Sequence, residues 1–354
     1  MMKLISLERH QTRTLLGVRF WDRLTHDIVA DGLQVTVQRL STDRTQRLGK
    51  SVAGQSTPSG TIAFFGLTDS ETPAADTPEL WDTLPPEQLV VIDMVDRRSR
   101  YLPVSFVARS PFRGVFKGQG EWLSIPLLQP NLDPDKALGI QLWSSPMRPV
   151  PPGRAMIRAQ LVLGEGTTPA AHALVRVQSA DSPPDATFDH YGLADAQGIL
   201  ALPVPYPAVP EPVTAGTPYP PLSQQEFTLA ITVRYSLNPA RLPGSPVPNL
   251  EALLAQPAAA IGTVWTTDDP PALQSQATLT LPLRFGEPLI LRTALGPGPD
   301  AELESVLRIG QTARFAQGVP PPELHHCRTR RVAHAGISCS RCLCRRNQLP
   351  LKIH

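Results

Sequence analysis

Forty of the 354 residues are proline, about 11% where average usage is about 5%. They are spread over the whole length. Proline lacks the N–H that a helix interior or a strand ladder needs and clashes with the preceding helical turn. Long helices are therefore disfavoured, and the chain is expected to fold as short strands joined by stiff connections. At this length it can form two or three domains, each with its own core.

The stretch 193–207, LADAQGILALPVPYP, shows the pattern at its clearest. Asp195 can hydrogen-bond the backbone two residues on, and Gly198 can take a positive φ, so Asp195-Ala196-Gln197-Gly198 predicts a tight turn. The apolar run Ile199–Leu202 that follows is expected to be a short buried strand ending at Pro203. Upstream, Met156–Leu163 and Ala173–Gln178 are also strand-like. Together these pieces outline a small β-sandwich.

The first half reads the same way. Residues 13–20 and 33–38 are strand-like; Leu33, Val35 and Val37 alternate with Gln34, Thr36 and Gln38, the period of a half-buried strand. Gly32 supplies the turn before them. Ser59-Gly60 precedes the apolar run Thr61–Phe65, and residues 69–86 read as a loop. Leu89–Val95, nearly continuous in apolar residues, predicts a strand buried on both faces. Leu102–Ala108, Trp122–Leu128 and Ile140–Trp143 are the remaining strands of a first domain over 14–144.

Residues 145–153, SPMRPVPPG, form a proline-rich linker. A second domain over 154–310 repeats the first at a spacing of about 140 residues: Val35–Gln38 matches Val175–Gln178, and Gly60 matches Gly198. Phe227–Tyr235, Ala277–Phe285, Pro288–Thr293 and Glu302–Ile309 are its later strands. Between them, residues 236–260 form a proline- and alanine-rich excursion with one short helix, Asn249–Leu254, for which Asn249 is the expected N-cap.

These strand–turn units resemble the carboxypeptidase-regulatory, or transthyretin-like, β-sandwich. The resemblance rests on Asp31-Gly32-Leu33 with Val35 and Val37, on Ser59-Gly60 with Thr61–Leu67, and on Ala173–Val177 with Asp195–Leu202. The run from Arg154–Leu163 to Pro207 is also similar to tandem proteins of that fold found with phage-tail-like contractile injection particles. It covers roughly residues 14–310. It implies an all-β chain of two tandem transthyretin-like or immunoglobulin-like sandwiches acting as a non-enzymatic structural or adaptor subunit. Its partners would be other protein subunits of a particle. No catalytic residue and no cofactor carry over, because the family module is an accessory one.

The last segment, 318–354, differs in kind. It holds seven basic residues and one acid, leaving 26 basic against 30 acidic residues in the body, and it contains all four cysteines. Cys339 and Cys342 have the spacing that lets two thiolates reach one zinc ion, and Cys327 and Cys344 are the further zinc candidates. A disordered basic tail, or sequence read out of frame, better accounts for the abrupt change in composition, so the fold expected is two sandwiches followed by a disordered C-terminal tail.

Other candidates carry less. His190-Tyr191 beside Asp189 suggests a metal or acid–base site, but the body histidines lack paired spacing, and a solvated strand or turn position is the plainer reading. Asp93, Asp96 and Glu121 read as solvated carboxylates. Trp21, Trp122, Trp143, Phe64 and Phe65 are expected to pack in the core, with a carbohydrate-binding face as the alternative use. A metal-dependent enzyme on the same fold is a remoter alternative. A net charge of +2 gives no reason to expect nucleic acid. The N-terminus lacks the uninterrupted apolar core of a signal peptide, and no run reaches the eighteen or so apolar residues of a membrane span. The expectation is cytoplasmic synthesis, with incorporation into a released particle as a further step.

Overall fold

The structure is a computed structural model that describes residues 14, 16–67, 86–111, 115–116, 139–180, 188–207, 221, 224–266, 272–296 and 301–311. The strand expected over 122–128, almost all of the 69–86 loop, Glu121, and the segment 318–354 with its four cysteines lie outside these residues.

Among the described residues the structure is all-β apart from one short helix. The first half contains β1 (Gly17–Asp22), β2 (Ile28–Val29), β3 (Leu33–Leu40), β4 (Arg47–Ala53), β5 (Gln55–Ser56) and β6 (Thr61–Ala63). It continues with β7 (Gln88–Asp96), β8 (Val104–Ser110), β9 (Val115–Phe116) and β10 (Ile140–Leu142). The second half opens with β11 (Ala155–Leu163), β12 (Leu174–Ser179), β13 (Asp189–Leu193), β14 (Ile199–Val204) and β15 (Glu226–Arg234). After α1 (Leu250–Leu254) come β16 (Ala258–Thr266), β17 (Ala272–Gln276) and β18 (Leu279–Arg284). The last are β19 (Leu289–Ile290), β20 (Ala294–Leu295), β21 (Glu302–Leu303) and β22 (Leu307–Gln311).

Strand pairing matches between the halves. In the first, β4-β3-β7-β8 is an antiparallel sheet; in the second, β13-β12-β15-β18 has the same order and sense. Opposite the first sheet, β1 pairs antiparallel with β6 and parallel with β9 and β10. Opposite the second, β11 pairs antiparallel with β14 and parallel with β19 and β22. The halves share these pairings, although in the second β16 and β22 link the two sets of strands into one continuous sheet.

The entry to β6 and to β14 is also shared. Gly198 N–H donates to Asp195 O at 3.1 Å and Asp195 N–H to Ile199 O at 3.0 Å. Gly60 N–H donates to Thr57 O, and Thr57 N–H to Thr61 O, both at 2.9 Å. The Asp195 carboxylate accepts from Gln197 N–H at 2.8 Å and Ile199 N–H at 2.9 Å; Thr57 Oγ1 accepts from Thr61 N–H at 3.2 Å. Gly60 and Gly198 have φ of +73° and +75°, values that a residue with a Cβ adopts only under strain. Gly32, φ +73°, accepts from Arg97 N–H in the turn before β3.

Pro203 does not end its strand. It lies inside β14 opposite Met156. β14 is an edge strand, where an absent N–H faces no partner and breaks no ladder.

The excursion after β15 explains why β7 is apolar on both faces. Val90, Ile92 and Met94 of β7 point into the core of the first sandwich. Val91 points the other way, into a smaller cluster with Leu40, Val107 and Leu242. Leu242 comes from the second half. So do Leu250, Leu253 and Leu254 of α1, which join the main core of the first sandwich with Leu174, Tyr191 and Leu193. Asn249 caps α1, its side chain accepting from Glu251 N–H at 3.4 Å, and it forms a β-bridge to Ser105 on β8. The arm formed by residues 236–254 therefore covers the outer face and the β8 edge of the first sheet.

Polar contacts fix the arm. Arg47 Nη1 donates to Asp93 at 2.6 Å and Arg47 Nη2 to Ser245 Oγ at 2.5 Å, while Arg47 Nε donates to the Pro243 carbonyl. Ser245 Oγ donates to the other Asp93 oxygen at 2.7 Å and lies 2.7 Å from Ser105 Oγ. Asp93 is thus not a solvated carboxylate: the arm closes over it. Asp96 is also engaged. It is buried and accepts from Arg98 N–H, Arg100 N–H and Arg100 Nε. Burial raises its pKa, but these bonds and the Arg100 charge bring it below the usual carboxylate value.

Candidate functional site

Beyond the arm, the halves meet where the turn after β1 reaches β13. Asp22, at the end of β1, holds that turn. It accepts from Leu24 N–H at 2.8 Å, from the Tyr101 hydroxyl at 3.0 Å and from both terminal nitrogens of Arg148. Burial works to raise the Asp22 pKa; the Arg148 hydrogen bonds, the Leu24 N–H, the Arg148 charge and Tyr101 outweigh it, so the net shift is downward. Arg148 belongs to the proline-rich linker, so the linker is tied to the first sandwich by a buried ion pair.

The fixed turn projects Arg23 onto the second half. Its guanidinium carbon lies 4.5 Å from the centroid of the Tyr191 ring, within cation–π range. Tyr191 and Asp189 are two apart on β13 and share a side of the strand. Arg176, opposite Tyr191 in the ladder, grips Asp189 through Nε–Oδ1 and Nη2–Oδ2 bonds of 2.8 Å each. This bidentate fork commits the nearest carboxylate to Arg176. Arg23 Nη1 is buried and has no hydrogen-bond partner. Such a group is costly to leave unmet.

Arg23 and Leu24 line a cavity of about 20 Å³, together with Ser144 beyond β10, His190 and Tyr191 on β13, and Pro203 on β14. Its electrostatics are cationic. Burial lowers the Arg23 pKa to about 10, with Asp189 and Tyr191 opposing and Arg176 adding to the shift; the side chain remains charged at neutral pH. Burial, then the Arg23 charge, lower His190 to about 4, with smaller contributions from His26 and Arg154 in the same direction and Asp189 against. His190 is therefore a neutral imidazole at pH 7. It is packed edge-on against Phe188 with ring centroids 4.6 Å apart. Burial likewise lowers His26 and raises Tyr191.

This placement corrects the reading of His190-Tyr191 as solvated: Tyr191 is 6% exposed and both residues line the cavity. The turn residues Gly32, Gly60, Asp195 and Gly198 lie elsewhere and set strand entry. Trp21, Trp143 and Phe64 are buried, so none of the three offers a ring to a sugar. The zinc candidates Cys327, Cys339, Cys342 and Cys344 lie outside the described residues. Among the described residues, no three His, Cys, Asp or Glu side chains are placed to hold a metal ion, and no helix is long and apolar enough to cross a membrane. Arg23 escapes sequence reasoning because nothing in its spacing sets it apart from the other basic residues. Only its strand-end position next to Asp22 distinguishes it.

No family model and no curated protein sequence matches the chain. Among solved structures, it is similar to a C-terminal fragment of the pilus adhesin SpaC from Lactobacillus rhamnosus GG, with 11% identity, 84% of this chain and 96% of that chain covered, and a TM-score of 0.19. It is also similar to a putative adhesin from Bacteroides ovatus, with 8% identity, 86% and 98% covered, and a TM-score of 0.18. A leucine-rich repeat protein from Bacteroides thetaiotaomicron matches at 8% identity over 84% of this chain and 26% of its own, also with a TM-score of 0.18. Likeness at this level carries no inference about activity.

Proposed function

We propose that the chain is a non-enzymatic structural or adaptor subunit that works through protein–protein contacts. The observation that supports this most is the arm. Its apolar cover and the Arg47–Asp93–Ser245 network join the two halves. Rigid relative placement of two modules suits a connector. The matched strand order in the halves supports the finer assignment to the tandem transthyretin-like class, and the sequence resemblance suggests a contractile injection or phage-tail-like particle as its setting. Assembly would begin in the cytoplasm.

The contact surface we assign is the outer edge of β4. This strand ends its sheet and is largely exposed along its length. β14 carries Pro203 and the opposite edge, β8, is covered by the arm, whereas β4 contains no proline. An open edge of this kind accepts a partner strand by backbone pairing. Gly54 N–H bonds inward to Val35 O, so the alternation of an antiparallel ladder turns the Ala53 N–H outward. Co-expression of the chain with the proteins encoded beside it should yield a stoichiometric complex that Ala53→Pro disrupts without unfolding the chain. An unaffected complex would remove β4 as the docking edge; a chain that stays monomeric among those partners would remove the adaptor reading.

A further inference from the structure

We propose that the cavity between the turn after β1 and strands β13 and β14 is a binding site for a single carboxylate group, with Arg23 as the residue that receives it. The claim rests on an imbalance of partners. Arg148 occupies Asp22 and Arg176 occupies Asp189, each through paired hydrogen bonds. Arg23 is left over the Tyr191 ring with a buried Nη1 that no protein atom accepts from. A guanidinium edge of this kind is matched by a carboxylate, which accepts in the plane of the fork.

Size and surroundings restrict the ligand further. A water needs roughly 10–15 Å³ of such space, so about 20 Å³ suits a small head group such as a carboxylate. Leu24, Leu142 and Leu202 on the wall suit the short apolar stem of an organic acid. The Ser144 hydroxyl, which accepts from Arg148 Nη1 at 2.9 Å, has its own proton free to give. Neutral His190 adds no competing charge and becomes a second donor if the bound anion draws a proton onto it.

Two sources share this chemistry: a free short-chain carboxylic acid, and the terminal carboxylate of a peptide from a partner subunit. The test uses the full chain with sodium acetate, with sodium chloride at matched ionic strength, and with a short peptide ending in a free or an amidated C-terminus. Binding is read by the His190 imidazole resonances and by the thermal midpoint. The expected result is a saturable His190 shift with acetate that chloride does not reproduce and that Arg23→Gln abolishes. Peptide binding that requires the free carboxylate would name the partner-derived source. A linear, non-saturating response that is the same for acetate and chloride would overturn the site. If Arg23→Gln fails to fold, Arg23→Lys keeps the charge but loses the fork and should weaken acetate binding at least tenfold; unchanged affinity in it would also overturn the assignment.

Discussion

Replacing Gly198 with alanine tests the turn on which the second sandwich is hung. A Cβ built there lies 2.4 Å from Leu161 O and 3.2 Å from Ala170 N. Both are backbone atoms of a ladder that cannot rotate away. Leu161 also donates to Gly198 O at 2.8 Å, and Ala170 N–H to Leu161 O at 2.9 Å. The left-handed backbone costs a residue with a Cβ about 1–2 kcal/mol. Disturbing two net hydrogen bonds adds about 0.5–1.5 kcal/mol each, so Gly198→Ala should cost about 2–5 kcal/mol. Gly286 is the control: its φ is +84°, but a Cβ there meets nothing within 4 Å. Gly286→Ala should therefore show the backbone strain alone. Gly60→Ala falls between, because its Cβ meets Ile28 Cγ2 at 2.5 Å, the end of a side chain that is 40% exposed and can turn aside. Urea unfolding of the three variants, with slopes compared to detect altered cooperativity, gives the order. A Gly198→Ala cost no greater than that of Gly286→Ala would refute the packing argument.

Two further outcomes follow from the core and from the junction. Leu253→Ala removes a buried side chain of α1 and should cost about 2–5 kcal/mol; near-UV signals from Trp21 and Trp143 in the first half should be lost at the same lowered midpoint. For pH, His190 titrates near 6.5 unfolded and about 4 folded. Between those values the unfolded chain binds a proton that the folded chain does not, so stability rises with pH across the window and falls on acidification towards 4. His190→Gln should flatten that slope. Asp22 and Asp96, whose folded values are depressed, contribute stability that is lost only as pH falls further, through their folded values below 3.8.

The all-β class is readable because alternation and turn chemistry are local. Val35 and Val37, the Asp195 turn and the Asn249 cap all declare themselves within a few residues. What was hidden depends on contacts distant in sequence. β4, RLGKSVA, shows no alternation because an exposed edge strand has no buried face to encode. β16 begins Ala-Ala-Ala, a poor strand former, and is held extended by β15 and β22 on its two sides. β17 pairs on it and was likewise unmarked. Asp93 looked solvated because its partners, Arg47 and Ser245, lie 46 and 152 residues away. Arg23 became a candidate only once the fold showed Asp22 held by Arg148 and Asp189 by Arg176.

On this reading the arm makes the two sandwiches one cooperative body. Hydrogen exchange on the full chain carrying Asp93→Asn addresses it directly. Weakening hydrogen bonds to a charged group costs about 1.5–3 kcal/mol, or roughly a 10- to 100-fold rise in exchange for amides that exchange through global opening. The account predicts that β7 in the first half and β12 in the second lose protection together and by similar factors. Faster exchange confined to residues 236–249, with β7 and β12 unchanged, would contradict it.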